Sequence, residues 1–211
     1  MTYKGVVIDA GHGGTDSGAL NGSFLEKDYT LKISNYIHDR LDQLGIENEL
    51  VRTDDITINP NDRVKKIKSF YGDGKDVLLI SNHINAGGGE GAEIIYALRN
   101  NDDFSKIISD NLTSSNRYVR KYYQKRYPSD TSKDYYFIHR DTGDIEAVII
   151  EYGFLDNEND KKLLEENWKE YSEIIVKSIC EYMGVPYKEE VLSGEYYIVQ
   201  KGDTIFMGNN E

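Results

Sequence analysis

The chain has one cysteine, no long apolar run and fewer cations than anions, and each shortage excludes a class of protein. Cys180 is the only cysteine among 211 residues, so no intrachain disulfide can form. No apolar stretch approaches the roughly 20 residues that a membrane-spanning helix needs, so we predict no membrane insertion. The 25 cations against 37 anions give a net charge of −12, which argues against nucleic-acid binding because a phosphate backbone would be repelled.

The surroundings of Cys180 and the first residues of the chain lead to two further expectations. Cys180 stands among Ile175, Ile179 and other apolar residues, which favours a buried structural thiol over a nucleophile. Residues 1–4 lead directly into the first apolar run, so we expect no signal peptide and synthesis in the cytoplasm.

Strand and helix signals alternate along the chain, and this alternation indicates an α/β fold. Short apolar runs predict strands at 3–9, 46–52, 76–82, 92–98, 135–138 and 147–150. Helical spacing of apolar residues predicts helices at 29–44, 61–71, 104–119 and 157–183, with Asn157 as an N-cap and Gly45 and Gly184 as stops. We therefore predict one main domain: a mainly parallel, twisted sheet of about six strands with helices on both faces.

Three of the buried strands are followed by, or end in, a side chain that can titrate or bind a metal. His12 follows the first strand within a glycine-rich loop, His83 ends the run Val77–His83, and Glu151 ends the run Ala147–Glu151. Ligands bind at the carboxyl ends of strands in open α/β sheets, so we expect these three residues to meet at one edge.

Glu26 is the candidate for a third zinc ligand beside His12 and His83. Glu26 directly precedes the first predicted helix, where its carboxylate can face the strand ends. The wide separation of His12, Glu26 and His83 excludes a zinc finger, whose ligands come in close pairs, and suits a catalytic site with three protein ligands and water. Glu151 is then the carboxylate available as a base for metal-assisted hydrolysis.

Simpler interpretations exist for each residue taken alone. His12 or His83 by itself would more often be a packed or solvated loop residue, but the two together are harder to dismiss. The glycine loop is a poor phosphate cradle, because Asp16 stands at the third fingerprint position and no Gly-Lys-Ser/Thr occurs. His38 fits a surface position on the first helix. His139 is more often a loop residue, yet its position shortly before Glu151 could let it line the cleft.

Four segments in order resemble the zinc-dependent N-acetylmuramoyl-L-alanine amidases. They are Val7–Gly14, Glu26, Ser81–Ala86 and Val148–Asn157, and the match spans about residues 3–184. The resemblance implies a six-stranded α/β domain over residues 1–185. It also implies one zinc ion (Zn²⁺) held by His12, Glu26 and His83, with Glu151 as the catalytic carboxylate.

The same resemblance implies peptidoglycan as the substrate, cut at the amide joining the lactyl group of N-acetylmuramic acid to L-alanine of the stem peptide. Asn82, Ile84 and Glu146 depart from the residues that the family often has, but none of them is a ligand. These departures bear on substrate preference more than on activity.

Substrate contacts are predicted outside the metal set. The segment Arg117–Tyr127 holds five cations and no acid. Its simpler interpretation is a solvated helix end with cations near the negative end of the helix dipole. The more specific interpretation is a binding surface on which tyrosines stack on sugars and cations bind anionic wall polymers. Asn85, His139 and Arg120 are the substrate-binding candidates.

The C-terminal segment carries a separate resemblance. Gly194–Ile205 is similar to the opening of a lysin-motif carbohydrate-binding module, but 194–211 is too short to form the complete module. Residues 186–193 are predicted to be a linker.

Alternative functions remain open from the sequence. A non-catalytic wall-binding module with this fold would be expected to lose a ligand or the base, whereas all four residues are present. A zinc carboxypeptidase or deacetylase acting on the same polymer is the other alternative. We expect action at Gram-positive cell walls, by a phage endolysin or a mother-cell lytic enzyme, with no nucleic-acid partner.

Overall fold

The structure is a computed structural model that describes residues 2–189. Its central sheet has six strands: β1 Gly5–Ala10, β4 Asn48–Leu50, β5 Val77–Asn85, β6 Ala92–Tyr96, β7 Val119–Tyr123 and β10 Glu146–Phe154. Two small strand pairs lie outside this sheet: β2 Leu20–Asn21 with β3 Phe24–Leu25, and β8 Arg126–Tyr127 with β9 Asp130–Asp134. The predicted six-stranded sheet is therefore confirmed.

The sheet runs in the order β4-β1-β5-β10-β6-β7 and reverses direction once. The pairs β4/β1, β1/β5 and β5/β10 are parallel, β10/β6 is antiparallel, and β6/β7 is parallel again. The prediction of a mainly parallel sheet is confirmed. Because of the reversal, the carboxyl ends of β1, β5 and β10 share one edge with the amino ends of β6 and β7.

In the described part of the chain, five helices cover both faces of the sheet: α1 Glu26–Gln43, α2 Pro60–Tyr71, α3 Asp103–Ser114, α4 Phe137–Arg140 and α5 Glu158–Met183. The larger core joins α1, α3 and α5 to one face, and the smaller core joins α2 and α4 to the other. Successive strand residues point to opposite faces, so Ile8 enters the larger core and Val7 the smaller one. Strands buried on both faces require the continuous apolar runs seen in the sequence.

Two predicted elements were wrong. The predicted helix 104–119 ends at Ser114, because Asn116 adopts a left-handed conformation with φ of 60° and turns the chain into β7. Arg117–Tyr127 is therefore not a helix end. Residues 135–138, predicted as a strand, instead contain the start of α4.

The predicted helix boundaries of α5 and the character of Cys180 agree with the structure. Asn157 caps α5 by accepting hydrogen bonds from the backbone N–H groups of Asn159 and Asp160, and Gly184 ends it with φ of 69°. Cys180 is a buried free thiol. No helix within residues 2–189 is long and apolar enough to cross a membrane.

The first residues of the predicted linker pack onto the domain. The Tyr187 hydroxyl donates to Glu173 Oε1 at 2.7 Å, and Arg40 Nη2 donates to the Lys188 carbonyl at 2.7 Å. Contacts with the domain thus continue at Tyr187 and Lys188, just after the boundary predicted at residue 185. The lysin-motif resemblance at 194–211 lies outside the described residues.

A buried ion pair fixes α5 against the edge of the sheet where the carboxyl ends of β1, β5 and β10 lie, hereafter the site edge. Arg117 Nη1 lies 2.8 Å from Asp160 Oδ1, and both side chains are at most 1% exposed. Arg117 also donates to the Tyr152 carbonyl, and Asp160 accepts from the backbone N–H groups of Gly91 and Phe154. Arg117, which in the simpler sequence interpretation would be solvated, is therefore buried and links the segment just before β7 to β10 and α5.

Replacing Asp160 by alanine is expected to lower the free energy of unfolding by about 3–5 kcal/mol, because Arg117 would stay buried without its partner. Urea unfolding followed by circular dichroism measures the change. Asp110→Ala removes the exposed Lys106–Asp110 pair and is the control, with an expected loss of about 0.3–0.5 kcal/mol. Equal losses in the two variants would contradict the stabilising role of the buried pair.

Candidate metal centre

Three predicted ligands meet at the carboxyl edge of the sheet. Ligand atoms of His12, Glu26 and His83 all lie within 4.8 Å of one another. His12 Nε2 and His83 Nδ1 are each 3.1 Å from Glu26 Oε1. Two imidazoles and one carboxylate around a common point form a donor set that suits zinc. The residues present therefore fit the metal that the sequence implies.

Each ligand is delivered by a different element. His12 stands in the loop after β1, Glu26 is the first residue of α1, and His83 lies near the end of β5. The two histidine side chains pack directly against the backbone of Gly11 and Gly18. A Cβ on Gly11 would lie 2.6 Å from His83 Nδ1, and a Cβ on Gly18 would lie 2.7 Å from His12 Cδ2. Side chains at these two positions would displace the histidines.

Neighbouring groups hold the ligands in place. His12 Nδ1 lies 2.9 Å from Asp16 Oδ2, which leaves Nε2 facing Glu26. A carboxylate on the outer ring nitrogen is the usual way to orient a metal-binding histidine. Glu26 also accepts hydrogen bonds from the backbone N–H groups of Ala19 at 2.7 Å and Ile84 at 2.9 Å. Its carboxylate therefore has a fixed position.

The charges of the three ligands depend on each other. Burial acts to lower the pKa of both histidines, but the Glu26 carboxylate outweighs it and, with Asp16, raises the pKa of His12 to about 9. Burial alone would raise the pKa of Glu26, yet the two histidines lower it. A cation at this point would replace the protons on the imidazoles, since metal ligands must be deprotonated.

Two buried arginines support the loop that carries His12. Arg63 forms an ion pair with Asp9 and donates to the His12 carbonyl, and Arg52 donates to the carbonyls of Ala10 and Gly11. His12 has φ of 62°, a left-handed conformation that a side-chain-bearing residue rarely adopts. Such backbone strain persists only where surrounding contacts determine it. The two arginines are those contacts, and no sequence motif marks either of them.

Glu151 lies beside the metal set on β10. Its Cα pairs in the sheet with that of His83, and the residue is 8% exposed. Burial raises the pKa of Glu151 to about 7. Within residues 2–189, its buried Oε2 has no hydrogen-bond partner. An unpaired buried carboxylate oxygen is costly, so this atom is expected to serve a bound group.

A cavity of about 170 Å³ adjoins these side chains. Its walls are largely apolar and aromatic, with His12, His83 and Glu151 among them. The other lining residues include Ile58, Pro60, Tyr136, Phe137, Ile138 and Ile149. The arrangement gives a substrate access to the candidate base and the metal ligands together.

The three substrate-binding candidates have different positions. Asn85 ends β5, and Arg120 on β7 forms an ion pair with Glu93 at 2.9 Å. Both are therefore at the site edge of the sheet. His139 is not: it is 1% exposed within α4, and neither ring nitrogen has a hydrogen-bond partner among residues 2–189. His139 is therefore buried within α4 and is not among the residues that line the cavity, contrary to the expectation that it lines the cleft.

Comparisons with known proteins agree with this geometry. A family model described as N-acetylmuramoyl-L-alanine amidase matches residues 6–183. The YqiI protein of Bacillus subtilis (strain 168) is 30% identical over 183 residues, covering 85% of this chain and 84% of the relative. The germination-specific N-acetylmuramoyl-L-alanine amidase of the same strain is 27% identical over 226 residues, covering 96% of this chain and 83% of that protein.

A solved structure gives the same result. The catalytic domain of CwlV, an N-acetylmuramoyl-L-alanine amidase from Bacillus (Paenibacillus) polymyxa var. colistinus, superimposes with a TM-score of 0.73 at 25% identity. The alignment covers 88% of this chain and all of that domain. The order of the ligand-bearing segments, the sheet and the family match thus lead to one assignment. The chain belongs to the N-acetylmuramoyl-L-alanine amidase family and is a peptidoglycan hydrolase of that class.

Proposed function

We propose that this amidase cleaves the bond between the lactyl group of N-acetylmuramic acid and L-alanine, using one zinc ion and Glu151 as general base. The observation that carries the proposal is the buried Glu151 Oε2, which has no partner within residues 2–189 and lies beside the His12–Glu26–His83 set. A base needs a free oxygen facing the reacting atoms, and this carboxylate has one.

His12, Glu26 and His83 would hold the zinc ion. When bound, zinc supplies Lewis-acid polarisation of the scissile carbonyl and a lower pKa for water. Asp16 keeps the His12 ring in the orientation that presents Nε2. Gly11 and Gly18 leave the space in which the two imidazoles and the carboxylate can converge.

Glu151 moves the proton in the proposed reaction. It accepts a proton from the attacking water and returns it to the alanine nitrogen, which leaves as an amine. A pKa raised to about 7 by burial suits both transfers, because a base with a pKa near the working pH can accept and then donate. The apolar cavity wall limits the water around this carboxylate.

Asn85 and Arg120 are proposed to contact the substrate beyond the scissile bond. Asn85 is two residues past the ligand His83 at the end of β5. Arg120 is 46% exposed and forms an ion pair with Glu93, whose Cα pairs with that of Glu151 in the sheet. Both side chains can therefore meet a peptide that extends from Glu151 toward β7.

The proposed place of action is the cell wall of a Gram-positive bacterium. The germination-specific amidase among the relatives comes from such an organism, Bacillus subtilis. The lysin-motif resemblance at 194–211 also supports a wall-directed enzyme.

Digestion of purified Gram-positive walls tests the proposal. With added zinc, we expect loss of turbidity and release of intact stem peptides that begin with a free L-alanine amine, without new reducing sugar ends. A chelator is expected to abolish this release. Mass spectrometry of the fragments identifies the broken bond.

Other results would replace the proposal. Binding to walls without cleavage would favour a non-catalytic module. Release of acetate or of C-terminal amino acids would identify a deacetylase or carboxypeptidase with the same metal set. Full cleavage in the presence of chelator would contradict the role of zinc.

A further inference from the structure

The buried carboxylate of Glu93 on β6 contacts side chains of β7, the neighbouring strand, and of Asn85 at the end of β5. Glu93 is 2% exposed. Its Oε1 lies 2.9 Å from Arg120 Nη1 and 3.6 Å from Lys121 Nζ. Its Oε2 accepts a hydrogen bond from the Tyr123 hydroxyl at 3.1 Å and lies 3.4 Å from Asn85 Nδ2. Glu93 thus fixes two cations at one point of the sheet.

A β-bulge brings both cations to this point. Ala92 pairs with Val119, but the next residue, Glu93, pairs with Lys121, so Arg120 is the extra residue of β7. In a regular strand, consecutive side chains point to opposite faces. The bulge lets Arg120 and Lys121 approach the same carboxylate, and bulges commonly re-aim side chains next to active sites.

The cations are in line with the catalytic carboxylate. Sheet pairing joins His83 to Glu151, Glu151 to Glu93 and Glu93 to Lys121, so these four residues form a row across four strands. With neighbouring strands about 4.8 Å apart, the Lys121 backbone lies about 10 Å from that of Glu151. A residue of extended peptide spans about 3.5 Å, so a substrate held at Glu151 reaches the cations within a few residues.

Arg120 and Lys121 can bind a further ligand, because both are partly exposed and together carry more charge than Glu93 neutralises. Arg120 is 46% and Lys121 45% exposed, and Glu93 neutralises one charge of the two. Within residues 2–189, hydrogen bonds of Arg120 involve only Nη1, which leaves Nε and Nη2 as donors. The Arg120 guanidinium also lies over the Phe154 ring, with Cζ 5.6 Å from the ring centre. A carboxylate is the ligand that matches the two parallel donors of a guanidinium.

We propose that Arg120 and Lys121, positioned by Glu93, form a subsite for a free carboxylate of the stem peptide. The subsite rests on the proposed amidase function and lies on the peptide side of the scissile bond. The nearest carboxylate in such a peptide is on the residue after L-alanine, and the second is at the peptide's C-terminus. The chemistry of recognition is the same for both. In a chain with net charge −12, a local excess of positive charge is what admits such an anion.

Matched substrates test the subsite. Three muramyl peptides are compared: one with all carboxylates free, one amidated on the residue after L-alanine, and one amidated at the C-terminus. The wild-type enzyme is expected to prefer the free acid over one of the amides by about tenfold in kcat/KM, mainly through KM, since one charge-assisted contact is lost. The amide that reacts poorly identifies the carboxylate bound.

Variants link this preference to the two cations. The double variant Arg120→Gln/Lys121→Gln is expected to lose the acid-over-amide preference, and Arg120→Lys to keep part of it because the charge remains. Lys106→Gln, an exposed cation on α3, is the control and is expected to keep the full preference. A folding defect would lower activity on acid and amide alike, so the ratio isolates the subsite.

Two results would overturn the subsite. Equal activity of the wild-type enzyme on the three peptides, or an undiminished preference in the double variant, would do so while leaving amidase activity intact. Failure of the wild-type enzyme to release L-alanine amines from walls or from any of the peptides would instead overturn the proposed function, and the subsite with it.

Discussion

Glu151→Gln is expected to lower kcat by about a thousandfold while zinc stays bound, because glutamine fills the same space but cannot accept a proton. His12, Glu26 and His83 are unchanged in this variant, so the metal ligands keep their positions. Hydrolysis of a soluble muramyl peptide gives kcat, and elemental analysis of the purified variant gives the zinc content. A loss of kcat with unchanged zinc content identifies Glu151 as a base, because loss of a metal ligand would lower the zinc content as well.

The control for this variant is Glu165→Gln, which makes the same change at an exposed position on α5. It is expected to retain wild-type kcat. Retention of more than about a tenth of wild-type kcat in Glu151→Gln would rule out Glu151 as the base, since general-base removal costs about 10²–10⁴-fold. Loss of zinc together with activity would instead make Glu151 a ligand.

His83→Ala is expected to remove both bound zinc and activity. The variant loses one of three ligands and leaves Glu26 without one of its two histidine partners. Loss of an orienting group alone costs 10–100-fold in metal affinity, so loss of a ligand is expected to cost about 100-fold or more. Zinc titration with a competing chelator measures the affinity.

Thermal unfolding provides a second measurement of the same ligand set. Zinc at about a thousand times its Kd should stabilise the wild-type protein by about 4 kcal/mol, and the same zinc concentration should stabilise His83→Ala far less. His38→Ala is the control, because His38 lies on α1 and bonds to Asn48 outside the metal set. A zinc-induced rise in Tm that is equal in wild type and His83→Ala would disprove the assignment of His83.

The convergence of His12, Glu26 and His83, with Glu151 beside them, could be predicted from the sequence because the position of each follows from a local rule. His83 and Glu151 lie near the ends of apolar runs, and such runs become central parallel strands whose carboxyl ends meet. Glu26 directly opens a helix, where it faces that edge. Long apolar strands and amphipathic helices are also the strongest patterns, which is why five strands of the sheet and four of the helices were predicted. The sixth strand, β7, contains two cations in five residues and was not predicted.

Glu93 was missed because the same rule does not apply to its strand. β6 runs antiparallel to β10, so its amino end, rather than its carboxyl end, lies at the site. Strand direction depends on long-range pairing, and no residue near Glu93 specifies it. The bulge at Arg120 is likewise a property of two paired strands. Asn116, a residue type that tolerates the left-handed conformation it adopts after α3, is a local signal in this region.

The bulge in β7 also bears on how molecules of this protein behave toward one another. β7 is the last strand in the sheet order, and an outer strand exposes backbone groups that can pair with another chain. Bulges and charged side chains are two devices that block such pairing, and β7 has both in Arg120 and Lys121. The distortion that brings two cations to Glu93 is therefore also one that hinders the pairing of β7 with a strand of another molecule.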